Sequence, residues 1–151
     1  MGFTLIELLV VTAIIGMITG IVLAALTNAR NRAFDTAVKD NLGNIRTQAG
    51  IFHTNNGHYG DGLAIPTDCF NPADTDTMFK LDSLIGGMID AAEDANRANT
   101  VRCTTDTTSS AKATLWSVES PLIEGDNWCV DSEGSAKIVT GNATNGACPS
   151  S

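Results

Sequence analysis

The sequence predicts an α+β protein: one long N-terminal helix, apolar in its first half and amphipathic in its second, packed on a small antiparallel β-sheet head. Three observations carry that prediction. Phe3 to Leu26 reads FTLIELLVVTAIIGMITGIVLAAL, 24 residues with one charge, Glu7. From Leu26 onward apolar residues recur at spacings of three and four as far as Phe52. The last third is rich in short β-prone runs broken by Gly, Asp and Ser.

The first half of the helix has the length of a membrane span. At ~1.5 Å per residue it is roughly 36 Å long, enough to cross the ~30 Å hydrocarbon core of a bilayer with some tilt. A carboxylate inside such a helix costs ~2.5 kcal/mol or more at the bilayer centre, so Glu7 asks for a partner. Gly16, Gly20 and Ala24 lie four apart on one face, where small side chains permit close helix approach. Each Gly also costs ~1 kcal/mol of helix propensity, so the same positions are candidates for local unwinding.

Gly2-Phe3-Thr4-Leu5-Ile6-Glu7-Leu8-Leu9-Val10-Val11 resembles the class III signal of type IV pilins and type II secretion pseudopilins. The resemblance covers about the first thirty residues. It implies cleavage between Gly2 and Phe3 by a prepilin peptidase, N-methylation of Phe3, and a role for Glu7 in filament assembly. It also implies a type IV pilin-like fold for the whole chain. Many major pilins carry a proline near the position of Ala24, and leaders of the family usually carry Lys or Arg ahead of the glycine. Here only Met1 precedes Gly2, which implies a start upstream or a trimmed sequence.

Elementary electrostatics gives the implied role of Glu7 a reason. With Phe3 at the mature N-terminus, its α-amine is a cation at the head of an apolar helix and Glu7 is an anion one turn along. If helices stagger axially in a filament, Glu7 of one subunit sits beside the Phe3 amine of a neighbour, and two costly charges neutralise each other. The competing readings are a glutamate held in lipid headgroups and a secretory signal peptide cleaved near Ala25 to Ala29. The apolar run is long for the latter and lacks a basic n-region.

In the second half, Leu26, Ala29 or Arg30, Ala33 or Phe34, Ala37 or Val38, Leu42, Ile45, Ala49 and Phe52 form the stripe. Asn31, Asp35, Lys39, Asp40, Asn44 and Gln48 are expected to face elsewhere. The helix is predicted to run to about Thr54, with Asn55-Asn56-Gly57 as its stop. Asn56-Gly57-His58-Tyr59-Gly60 resembles the N-G-x-Y-P connector of many pilins, with Gly60 where Pro is usual. His53 and His58 lack a carboxylate at ligand spacing on the same element and read as solvated loop residues.

The head, residues 55–151, has 97 residues and holds all four cysteines, Cys69, Cys103, Cys129 and Cys148. An even count behind a membrane segment predicts two disulfides and an oxidising, extracytoplasmic location. The spacings of 33, 25 and 18 intervening residues contain no C-x-x-C pair, which argues against zinc. Three pairings are possible. Sequence-order pairing, Cys69–Cys103 and Cys129–Cys148, makes the smallest loops and is the one adopted, the second loop resembling the C-terminal disulfide loop of many pilins. Asp68, Asp74, Asp76 and Asp82 are close in sequence but form no D-x-D-x-D-G calcium loop. No metal or cofactor is expected.

After an Asp61–Thr77 loop, Phe79, Leu81, Leu84, Ile85, Met88, Ile89 and Ala92 trace a short helix with Asp76 or Thr77 as N-cap. Strands are predicted over Thr100–Thr105, Ala113–Glu119, Asn127–Asp131 and Ala136–Thr140, with a hairpin turn at Asp131–Ser135 and Trp116 and Trp128 packing on the sheet. The Thr104–Ser110 run reads as a solvated loop, and Asn142-Ala143-Thr144 matches the short N-glycan acceptor pattern.

The head carries five Lys or Arg against 14 Asp or Glu, whereas Thr27–Thr54 carries four against two. Such an acidic head repels phosphate, so nucleic acid is not expected as a direct ligand. The sequence holds no G-x-S-x-G, no H-E-x-x-H and no phosphate-binding loop, and architecture rather than catalysis is expected. Four segments follow: a residual leader at 1–2, a membrane and filament-core half at 3–26, an amphipathic half at 27–54, and the head. The resemblance implies a subunit held in the inner membrane as precursor and then assembled as a homopolymer into an extracellular pilus filament, with the prepilin peptidase and pilus assembly machinery as partners. A type II secretion pseudopilin, or a single-pass anchored binding domain that does not polymerise, are the alternatives.

Overall fold

A computed structural model describes residues 2–61, 67–69, 76–97, 100–106 and 112–150. Helix α1 runs Leu5–Asn56. The chain forms two compact units, Met1–Ala33 and Phe34–Ser151, and α1 contributes to both. The first unit is helix alone, its apolar side chains exposed throughout. Its hydroxyls are satisfied within the helix: Thr12, Thr19 and Thr27 donate to the carbonyls of Leu9, Ile15 and Leu23, leaving no bare hydroxyl on the apolar surface.

In the second unit the stripe on α1 turns inward. Val38, Leu42, Ile45, Ala49 and Phe52 are buried, while Leu26, Ala29, Arg30 and Ala33, which continue the same spacing, lie exposed in the first unit. The helix stops at Gly57, whose φ of 77° is a left-handed turn that glycine adopts without strain and whose N–H donates to His53 O. Asp35 is the correction on this face. Expected to face away, it is 5 % exposed, because its carboxyl accepts the N–H groups of Ile123 and Glu124, at 2.6 and 3.2 Å.

The single helix expected over Phe79–Ala92 is two, α2 Met78–Leu81 and α3 Ser83–Asn96. The break falls at Asp82, whose Oδ1 accepts from Leu84 N and Ile85 N and so caps α3. Thr77, one of the two expected caps, does stand at the N-cap of α2, without a side-chain capping bond, while the longer α3 is capped by Asp82. Gln48 of α1 donates to the other oxygen of Asp82 at 2.9 Å, tying the capping residue to the core helix.

The sheet is an antiparallel meander of five strands in chain order: β1 Thr67–Asp68, β2 Arg102–Thr105, β3 Trp116–Pro121, β4 Asn127–Asp131 and β5 Ala136–Val139. β1 is a two-residue edge inside what reads as loop. β3 begins three residues later than expected and runs on to Pro121 opposite Asn127. One sheet face packs Cys103, Trp116, Val118 and Val130 into the core with α1, Met78, Phe79, Ile85 and Ile89. Trp116 is its centre, meeting Phe79 and Tyr59 edge-on at 6.3 Å each, contacts worth ~0.5–1.5 kcal/mol beyond burial. The disulfides are Cys69–Cys103 and Cys129–Cys148. The first joins the β1 end to β2, and the second lays the C-terminal segment across the outer sheet face. Met1, Asp74 and Thr107–Ser110 lie outside the described residues.

Candidate functional site

Two places hold the candidate side chains: the N-terminal helix, and the outer face of the sheet. At the first, Leu5 opens α1 and Thr4 stands just before it. Thr4 N and Oγ1 donate to Glu7 Oε2 at 2.9 and 2.7 Å, and Glu7 N approaches Thr4 Oγ1 at 3.4 Å. This is a reciprocal capping box, T-x-x-E, which satisfies orphan N–H groups at the helix start. The pattern is legible in Thr4-Leu5-Ile6-Glu7 but is overshadowed there by the charge of Glu7. In the single chain the carboxylate is therefore turned to Thr4, and Phe3, 83 % exposed, is not among its hydrogen-bond partners.

Gly2, Gly16 and Gly20 have open space where a Cβ would stand, and Ala24 is exposed. α1 continues unbroken through all three helical positions. Around them Leu8, Leu9, Ile14, Ile15, Ile18 and Leu23 are each more than half exposed. Burying one such side chain yields ~1.5–3 kcal/mol, so a surface of this kind in water demands a lipid or protein cover.

On the outer sheet face the C-terminal segment is held by carboxylates. Asp131 Oδ1 accepts from Glu133 N and Ser135 N in the β4–β5 turn, and Oδ2 accepts from Cys148 N at 3.1 Å. Burial pushes its carboxyl up, but the donors from Cys148, Ser135 and Glu133 outweigh burial and hold it below the ordinary value. Arg46 of α1 donates to the carbonyls of Asp131 and Ser135, fastening the same turn to the core helix. Glu119, 2 % exposed, accepts Ala143 N on Oε2 at 2.8 Å. Its Oε1 has no hydrogen-bond partner and lies 3.8 Å from the Arg102 guanidinium. Burial raises the Glu119 carboxyl, against the lowering effect of Ala143 N–H and Arg102. Thr100, Arg102, Glu119, Pro121 and Asn127 line a cleft of about 180 Å³ here. Sequence reasoning does not reach it, because Arg102 and Glu119 meet only through the β2–β3 register.

Elsewhere His58 Nδ1 accepts Gly60 N, and His53, which lies in the last turn of α1 and not in a loop, meets Tyr59 with ring centroids 4.7 Å apart and the planes tilted by 43°. Among the described residues no group of three or more His, Cys, Asp or Glu is arranged to hold a metal ion.

Together these features define a class: an α+β protein with an N-terminal helix long and apolar enough to cross a membrane, and a head closed by two disulfides. No protein-family model, curated protein or solved structure matches the chain.

Proposed function

We propose that this chain is a type IV pilin-like structural subunit, held in a membrane by Phe3–Leu26 and assembled into a helical filament through the same helix. The observation that carries the reading is the bareness of the first unit. Its apolar side chains are uncovered, while the same helix further on supplies the core of a head stapled by disulfides. Lipid covers such a surface before assembly, and copies of the same helix cover it afterwards. The Gly2-Phe3 signal supports processing at that bond, and Glu7 then has the Phe3 amine of a neighbouring copy as its counter-charge. The filament is an extracellular homopolymer with no catalytic role.

N-terminal sequencing and intact mass of native protein test the reading. A chain beginning at methylated Phe3 supports it. A retained leader with membrane-bound monomer supports the single-pass anchored domain instead. A pseudopilin of type II secretion shares the processed N-terminus, and is separated from the pilus by finding the chain only in short periplasmic assemblies.

A further inference from the structure

Two arginines stand just past the bare apolar surface of the first unit. From Leu8 to Phe34 the helix has no acidic residue, and Arg30 and Arg32 are its only charges, both at exposed positions. Glu7 lies at the far end, turned to Thr4. Asp35, the next carboxylate, is buried and accepts the N–H groups of Ile123 and Glu124. The stretch therefore carries two positive charges and no negative one.

Their placement selects the kind of partner. Two residues apart on a 3.6-residue helix, Arg30 and Arg32 project ~200° apart, to opposite flanks of α1. A protein docked on one side of the helix meets one of them, whereas a ring of lipid headgroups meets both. At ~1.5 Å per residue they stand ~6 and ~9 Å beyond Leu26, and the polar layer of a bilayer is ~5–8 Å deep on each side. An arginine side chain turned back toward the membrane brings its guanidinium to the phosphates. The fork of the guanidinium takes phosphate oxygens in pairs. A zwitterionic lipid carries its own cation beside the phosphate, so the net charge of the stretch favours an anionic one. We infer that Arg30 and Arg32 form a collar that binds the phosphates of anionic phospholipids in the leaflet nearest the head, an inference that rests on the membrane reading of Phe3–Leu26. Arg32 has a further interaction within the chain, and the five donors of a guanidinium leave others for phosphate. The collar sets the depth of the precursor in the bilayer, with Leu26 at the edge of the hydrocarbon.

The test uses the full chain, uniformly ¹⁵N-labelled, in bicelles of phosphatidylcholine into which phosphatidylglycerol is titrated. The Nε–H signals of Arg30 and Arg32 should shift saturably, and that of Arg97, exposed in the head, should not. Retained phosphatidylglycerol, counted by native mass spectrometry, should fall about 30-fold in the double variant Arg30→Gln/Arg32→Gln, about fivefold for each arginine. The variant changes only exposed positions, and unchanged Leu42 and Ile89 amides show that it is folded. A paramagnetic label at the acyl-chain end separates the collar from its premise, because it broadens the Ile14 and Ile15 amides only when the helix lies in lipid. With that broadening present, Arg30 and Arg32 signals that move no more than Arg97 would overturn the collar alone. Without it, the membrane reading falls and the collar with it. A response from only one of the two arginines, equal shifts with inorganic phosphate in pure phosphatidylcholine, or wild-type lipid retention by the variant would each overturn the collar as well.

Discussion

Replacing Asp35 with Ala should loosen the head more than any other single change on the polar side of α1. The Asp35 carboxyl accepts Ile123 N at 2.6 Å and Glu124 N at 3.2 Å, across 88 residues of sequence, and so clamps the β3–β4 turn onto the core helix. Hydrogen bonds to a charged group contribute ~1.5–3 kcal/mol, and a buried donor left unmade costs ~1–3 kcal/mol. Glu124 is exposed, so water replaces most of its share, and the Ile123 contact dominates. Counted once, the loss of the Ile123 contact is about 2–3 kcal/mol. At roughly 4 °C per kcal/mol for a unit of this size, the melting temperature of the head falls by about 8–12 °C. Near-UV circular dichroism of the oxidised full chain in detergent measures it, with Asp40→Ala, at an exposed position of the same helix, as control. An Asp35→Ala protein melting within about 1 °C of wild type would refute the clamp.

Other consequences follow from the same geometry. Gly60 has φ 104°, and a Cβ there would stand 2.3 Å from Asp76 O and 2.5 Å from Thr77 Cα, both backbone; Gly60→Ala should therefore cost more than the ~1–2 kcal/mol of left-handed strain alone, read as a lowered denaturation midpoint. Replacing Cys129 and Cys148 together by Ser opens a loop with a sequence separation of 19 and should cost about 3 kcal/mol by loop-closure entropy. The two carboxylates on the outer face act in opposite directions with pH. Asp131, held below the ordinary 3.8, contributes stability above that value and loses it as pH falls through its folded value. Glu119, held above the ordinary 4.5, contributes fully below 4.5 and loses it as pH rises through its folded value. The stability of wild type relative to Glu119→Gln should accordingly fall as pH rises from the ordinary 4.5 through the raised folded value, and a flat difference would contradict the assignment.

The sequence carries the long elements and little of what joins them. The α1 stripe from Val38 to Phe52 is legible because core burial on a helix repeats at 3.6 residues, and β4 because alternation and flanking turn residues bound it. Asp35 escapes because a charge on a helix reads as solvent-facing until its acceptors' donors, nearly ninety residues away, are in place. The break at Asp82 escapes because Leu81 and Leu84 keep a helical apolar rhythm across it, while the deciding interaction is a local side-chain cap. β1 is too short to have a period. Gly60 is the reverse case. It stands out against the N-G-x-Y-P connector, and the close approach of Asp76 O and Thr77 Cα explains why a side chain is excluded there.

The claim that the bare helix assembles through Glu7 is tested most directly by Glu7→Gln as the only copy. Glutamine keeps the capping box with Thr4, since either residue serves at that position, so helix α1 and membrane insertion should survive. What is lost is the counter-charge for the neighbour's Phe3 amine, and a broken buried pair costs ~3–5 kcal/mol. Quantifying the subunit in sheared surface filaments against the membrane fraction should show wild type in both and Glu7→Gln processed, abundant in membrane and scarce in filaments; wild-type filament yield from the variant would contradict the account.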